Sequence, residues 1–230
     1  ALEYSQKAHI SQTRKSGEPY IVHPILVASI VASITNDESM VISALLHDVV
    51  EDTIIKIDEV EALFGKDIGH LVEGLTKIDL IRDSELVASN SNEKLIVSAL
   101  SFRKMLLASI EDVRILVVKL CDRFHNMLTL DALSKDKQLR IAEETLVVYG
   151  PIAHRLGISF LKNILEDLSF SYLFKEENTH IEKYLDSNYH AIEMKLNEFK
   201  ESIVKVLVKN GFCEDDFEVL SRVKHHYSIY

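Results

Sequence analysis

The chain has 230 residues, of which 47% are hydrophobic and 27% charged, with a formal net charge of −10; that balance describes a globular protein of one to two domains with a real core. Its 7 glycines and 3 prolines fall well short of the ~12% these residues usually supply, which argues against a turn-rich β-sandwich or barrel and against long disordered tracts, so a mostly helical chain is expected. The pI near 5.5 excludes a broad nucleic-acid or anionic-membrane surface. An anionic small molecule remains open if local cations or a metal overcome the global field.

Apolar spacing is helical almost throughout. Residues 1–13 read as the back half of a helix, broken by a polar loop over 14–19. Pro24 suits the first turn of a helix running to about Ser33, and 36–39 separates it from a helix over about 40–50. Asp58 and Glu61 resemble an N-terminal capping pair, with Gly65 closing that short helix. A helix over 67–78 follows. Residues 82–93 lack a clean period and read as a mobile loop. Helices resume over about 94–110, 112–132 and 137–149, and Pro151 marks a break or kink. Further helices cover about 159–174 and 179–209, the latter ending at Asn210 and Gly211. Residues 217–222 alternate imperfectly, as a short strand would, and a domain boundary is expected near 175–195. The longest apolar stretch, 25–34, is interrupted by Ser29 and Ser33 and is too short to span a bilayer. Cys121 and Cys213 make no disulfide framework, as expected in a reducing cytoplasm. No secretory leader opens the chain, and the absent initiator Met and abrupt end at Tyr230 read as a fragment of something longer.

Three clusters carry chemistry. His47-Asp48 and Glu51-Asp52 put four ionisable groups at the end of an otherwise apolar helix. At ~100° per residue His47 shares a face with Glu51, and Asp48 with Asp52. Burying that many charges is costly unless they bind something, and an adjacent imidazole and carboxylate suit a divalent metal; the alternative is a helix C-terminus with solvated acids, against which the helix dipole argues mildly. In the second cluster Asp122, Asn126 and Thr129 stand at i, i+4 and i+7 behind the core-like run Val117, Val118, Leu120 and Cys121. That stripe reads as a pocket wall, or as the wet face of an amphipathic helix with Arg123 and His125 in solvent. In the third, Arg14-Lys15-Ser16-Gly17 offers a fork and a point charge to a phosphate, or is a surface pair of no consequence. His23 by itself would be a structural histidine.

Taken together, the clusters are specific. The order His23, His47-Asp48, Asp122 resembles the H…HD…D pattern of the HD superfamily of metal-dependent phosphohydrolases. The runs Arg14-Lys15-Ser16-Gly17-Glu18-Pro19-Tyr20-Ile21-Val22-His23-Pro24, Leu46-His47-Asp48-Val49-Val50-Glu51-Asp52-Thr53, Leu120-Cys121-Asp122-Arg123-Phe124-His125-Asn126-Met127 and Pro151-Ile152-Ala153-His154-Arg155-Leu156-Gly157 resemble the RelA/SpoT homologues, the (p)ppGpp synthetase/hydrolases of the stringent response. The closing Ser221-Arg222-Val223-Lys224-His225 looks like the opening of that family's synthetase domain, with Ser221 and Val223 in place of its usual Gly and Pro.

The resemblance implies an all-α HD-domain helical bundle around a metal site over 1–175, a long linker helix over 176–211, and over 212–230 the start of an α/β synthetase domain too short to synthesise anything. It implies His23, His47, Asp48 and Asp122 as metal ligands, usually for Mn²⁺. Glu51 and Asp52 match the acidic pair required for hydrolysis, Arg14, Lys15 and Ser16 the nucleotide-binding loop, and Asn126 and Thr129 the lining of the guanosine site. Cys121 departs from the commoner Ala and is expected to be a core residue. The implied reaction is removal of the 3′-pyrophosphate of (p)ppGpp to leave GDP or GTP, in the cytoplasm, with no nucleic acid or membrane partner. The competing readings are another HD-superfamily nucleotide phosphohydrolase and a non-catalytic module that regulates a synthetase.

Overall fold

The computed structural model describes residues 1–85 and 112–230, and the described part is all-α. The elements are α1 (Leu2–Ala8), α2 (Val22–Ile34), α3 (Glu38–Leu46), α4 (Val49–Asp52), α5 (Ile57–Phe64), α6 (Lys66–Glu85), α7 (Val113–Leu128), α8 (Lys135–Glu144), α9 (Gly150–Arg155), α10 (Ser159–Leu173), α11 (Lys175–Lys209) and α12 (His226–Ile229). Two compact units result, Ala1–Ser169 and Phe170–Tyr230. No described helix is long and apolar enough to cross a membrane.

In the first unit α2, α3, α6 and α7 pack against one another. Buried residues on α6 fall at Ile68, Leu71, Val72, Leu75 and Ile78, the spacing of one helical stripe. Gly74 lets α7 come close: a Cβ there would lie 2.3 Å from Ile115 Cδ1. α7 is different, because Ile115, Leu116, Val118, Leu120, Cys121 and Met127 are buried together with Lys119, Asp122, Arg123 and His125. A helix whose middle turns are enclosed on most sides buries its polar residues too, and those groups then need partners. Its first turn is held by Asp112, which accepts from the Arg114 amide at 2.9 Å, while the Arg114 guanidinium reaches Asp67 Oδ1 at 2.6 Å.

Several boundaries differ from the reading of the sequence. The helix expected over 40–50 is interrupted at His47 and Asp48, which close α3 and open α4. α3 is capped by Asp37, which accepts from the Met40 amide at 3.2 Å. The capping pair expected at Asp58 is absent: the cap of α5 is Lys56, without a side-chain hydrogen bond. α6 runs on to Glu85, so residues 82–85 are helical where a loop was expected; the rest of that expected loop and the helix over 94–110 lie outside the described residues. Near Pro151 the chain winds as a π-helix over Thr145–Tyr149 and restarts as α9, with Pro151 in its first turn, where a missing N–H is harmless.

In the second unit α11 has 35 residues and none is buried. Phe170, Phe174, Tyr227 and Tyr230 cluster, with ring centroids 5.0 to 5.9 Å apart. The strand expected over 217–222 is not present among the described residues. Phe217 is extended (φ −149, ψ 155), but an extended segment becomes a strand only when a neighbour supplies the ladder.

Candidate active site

The interruption between α3 and α4 creates the site. His47 ends α3, and its Nδ1 lies 2.8 Å from the Ala44 carbonyl oxygen. A carbonyl only accepts, so Nδ1 carries a proton and Nε2 is left to bind. Asp48 stands at the head of α4. His23 comes from the first turn of α2 and Asp122 from the middle of α7.

His23, His47 and Asp122 are buried, and their ligand atoms all lie within 4.8 Å of one another. His23 Nε2 is 3.2 Å from Asp122 Oδ1 and 3.2 Å from His47 Nε2; His47 Nε2 is 3.8 Å from Asp122 Oδ1. Asp48 Oδ2 stands 3.1 Å from His47 Nε2 and 3.6 Å from His23 Nε2. Ligands held on one cation by bonds of ~2.1 Å stand ~3.0–3.4 Å apart, so this nitrogen and oxygen set fits a divalent ion. The facing Nε2 atoms add a second argument. Two neutral imidazoles, each protonated at Nδ1, would point lone pairs at each other, which a shared proton or a cation relieves.

Electrostatics shows that competition. Burial alone would push His47 down, but Asp48 and Asp122 outweigh it and hold the imidazole up at about 9. Burial pushes His23 down, only partly offset by Asp122. Asp48 and Asp122 are held well below the usual carboxylate range despite burial, by His47 for the first and by Lys119 and the imidazoles for the second. Near neutral pH the metal-free site therefore keeps a proton on His47, which a metal must displace. Metal uptake is expected to release a proton at pH 7, and affinity to rise with pH until about 9. Titration calorimetry with Mn²⁺ in buffers of different ionisation enthalpy checks this, and a buffer-independent heat at pH 7 contradicts it.

Other side chains hold this set in place. Lys119, buried on α7, donates to Asp122 Oδ2 at 2.7 Å; removing such a partner from a buried charge typically costs ~3–5 kcal/mol. Asn126 donates to Asp122 Oδ1 at 2.6 Å. His23 Nδ1 meets His125 Nδ1 at 2.7 Å. Burial, then His23 and Arg14, push His125 down to about 4, so it is neutral and able to accept that bond. The Tyr20 hydroxyl touches Asp48 and Asp52 at 2.7 and 2.6 Å, and burial and the Asp48 charge raise its pKa far above the usual phenol range. Arg123 and His125 are not solvated: both are 4% exposed, and Arg123 is committed to Glu144 and Tyr149 at 3.0 and 2.7 Å. Cys121 is fully buried, its thiol pushed up to about 12 by burial and Asp122.

A cleft of about 400 Å³ is lined by Arg14, Lys15, Ser16, Tyr20, Asn126 and Thr129, with Arg123, Arg140 and Glu144 on α7 and α8. Arg14 Nη2 donates to Asn126 Oδ1 at 2.7 Å and reaches Thr129 Oγ1 at 3.5 Å. The loop is folded back by Gly17, at φ +97, with the Arg14 amide donating to the Glu18 carbonyl at 3.0 Å. Lys15 and Ser16 are exposed on the loop, as are Glu51 and Asp52 on α4.

Of the residues singled out in the sequence, the fold thus joins His23, His47, Asp48 and Asp122 in one group, and Arg14, Asn126 and Thr129 in another. Asp52 is tied to the first through Tyr20; Glu51 stands beside Asp52, one turn after His47, and is not among the converging ligand atoms. The sequence motifs assign no role to Lys119, His125 or Tyr20. Lys119 and His125 were within reach, since each stands three residues from Asp122 on one helix; Tyr20, in a loop, offered no periodic signal.

Helices around a buried histidine and aspartate cluster define an HD-type fold, and residues 1–159 match the HD domain family. The whole chain is similar to a GTP pyrophosphokinase of Myxococcus xanthus, at 44% identity over 100% of this chain and 29% of that protein. It is equally similar, at 44% over 100% of this chain and 29% of the relative, to a probable guanosine-3′,5′-bis(diphosphate) 3′-pyrophosphohydrolase of Synechocystis. The bifunctional (p)ppGpp synthase/hydrolase SpoT of Escherichia coli K12 is 41% identical over 98% of this chain and 31% of its own length. A solved structure described as a metazoan orthologue of SpoT that hydrolyses ppGpp aligns with a TM-score of 0.51 at 25% identity, covering 73% of this chain and 90% of that one. The chain belongs to the HD domain family, and over its whole length it is similar to RelA/SpoT homologues. It spans about a third or less of the length of these curated relatives.

Proposed function

We propose that this chain hydrolyses the 3′-pyrophosphate of guanosine tetra- or pentaphosphate, giving GDP or GTP and pyrophosphate, with Mn²⁺ as its cation. One observation carries the reading: Asn126 donates to Asp122 Oδ1 and accepts from Arg14 Nη2. A single side chain thereby joins the cluster that can hold a metal to the basic loop that can hold phosphates. The names of the relatives agree with it.

His23, His47, Asp48 and Asp122 would hold the ion, which when bound supplies an acidified water and a polarised phosphoryl oxygen. Glu51 and Asp52 orient the nucleophile and take its proton. Arg14 and Lys15 neutralise substrate charge, Ser16 completes that loop, and Asn126 and Thr129 line the guanosine side. A chain of net charge −10 can thus bind a polyanion through one cation and one local basic loop. Residues 1–175 form the hydrolase domain in this reading, 176–211 a helical linker and 212–230 the beginning of a synthetase domain. The free thiols of Cys121 and Cys213 suit a cytoplasmic location.

Purified chain with Mn²⁺ and ppGpp is expected to release pyrophosphate and GDP. Absence of turnover favours the regulatory module, and preference for other nucleotides in a substrate panel favours another HD-type phosphohydrolase. Lys15→Ala is expected to raise KM for ppGpp ~10-fold, the loss of one charge-assisted contact, with kcat nearly unchanged; steady-state kinetics reads both, and an unchanged KM removes the loop from the substrate site.

A further inference from the structure

We propose that Tyr20 is a positioning residue whose hydroxyl ties Asp48 to Asp52 and so sets the acid of α4 against the metal-binding cluster. Its kinetic consequence rests on the hydrolase reading above; its effect on metal binding does not.

The reason such a device is needed lies in α4. That helix has four residues, and Asp52, at its end, is exposed. An exposed carboxylate on one turn of helix samples several rotamers unless something holds it. Tyr20 Oη meets Asp52 Oδ2 at 2.6 Å and Asp48 Oδ2 at 2.7 Å. Both carboxylate oxygens accept and the phenol carries one proton, so the O–H donates to one and can turn to the other without moving the ring.

The ring itself is held. It stacks on His9 with centroids 4.6 Å apart and planes 21° from parallel, and meets the His23 edge at 6.1 Å and 84°. The Arg14 guanidinium lies over it, 5.8 Å from its centroid. His9, 2% exposed, pairs through Nδ1 with Gln12 Oε1 at 2.7 Å. Gln12 Nε2 donates to the Asp52 carbonyl oxygen at 2.7 Å, and the Tyr20 amide donates to the Gln12 carbonyl at 3.0 Å. His9, Gln12, Asp52 and Tyr20 therefore form a closed ring of contacts that grips Asp52 by main chain and side chain. Tyr20 acts through Asp48 and Asp52, as outer partners of metal-site ligands do.

Tyr20→Phe keeps the stacked ring and removes only the hydroxyl. It is expected to lower kcat on ppGpp ~10–100-fold and to weaken Mn²⁺ binding ~10-fold, the usual reach of an outer partner, with KM within about twofold and the melting temperature unchanged. In an Asp52→Asn background the same substitution is expected to lower kcat less than about threefold, because the carboxylate that the hydroxyl positions is already gone. An unchanged kcat overturns the proposal. So does a rise in KM alone, which would put the hydroxyl on the substrate, and so does a full-size loss in the Asp52→Asn background. If the unaltered chain releases no pyrophosphate, the hydrolase reading falls, and the Mn²⁺ titration alone decides: equal affinity with and without the hydroxyl overturns the tie, and weaker binding in Tyr20→Phe upholds it.

Discussion

Asp122→Ala is expected to remove metal binding and turnover together. Asp122 Oδ1 faces both imidazoles, 3.2 Å from His23 Nε2 and 3.8 Å from His47 Nε2, so the substitution deletes an anionic side chain at the centre of the cluster. It also leaves the Lys119 ammonium, which had been 2.7 Å from Asp122 Oδ2, beside the place a cation would occupy. Both changes act in the same direction, and the loss of metal affinity is expected to exceed ~100-fold, beyond what an outer partner costs. Metal content after gel filtration and pyrophosphate release from ppGpp are the two measurements. Circular dichroism belongs with them, because the buried Lys119 loses a partner and the fold loses stability. Asp122→Asn keeps the volume and removes the charge, and is expected to share the loss of metal with a smaller loss of stability. Stoichiometric metal in either variant would show that Asp122 is not a ligand.

Glu51→Gln is expected to keep the metal and lose activity, lowering kcat ~10²–10⁴-fold, the usual range for removal of a general acid or base. Glu51 is exposed on α4, one turn beyond His47, so an isosteric amide there keeps the shape of the side chain and removes no buried volume. The proton-accepting capacity is what changes. KM for ppGpp is expected to stay close to that of the unaltered chain, since a group that acts only in the transition state affects kcat and kcat/KM alike. A near-normal kcat would remove Glu51 from the chemistry and leave Asp52, held by Tyr20 and Gln12, as the acid that moves the proton.

The helical class was legible because few turn-formers and a 3.6-residue apolar period leave little else to build. The stripe Asp122, Asn126, Thr129 was legible for the same reason: i, i+4, i+7 is a statement about one helix. The break at His47 and Asp48 was not. The run from Ala44 to Asp52 has no Gly or Pro to mark a break, and at the turn His47 and Asp48 face groups from α2 and α7. The solvated reading of Arg123 and His125 failed similarly. A charged residue is normally exposed, and the enclosure of the middle of α7 by its neighbours reverses that.

By itself, then, the amino-acid order determined local geometry and inventory: which stretches coil, where basic and acidic groups recur, and, through resemblance, which four side chains to watch. Tertiary structure decided which of those side chains meet. His23, His47 and Asp122 span a hundred residues of chain, and their spacing within 4.8 Å depends on the packing of α2, α3 and α7. It also decided the partners no periodicity marks, such as Tyr20 against Asp48 and Asp52. The physical reason is that helical propensity and amphipathic period act over one or two turns, whereas the burial that orients a ligand is a property of all the helices closing on it at once.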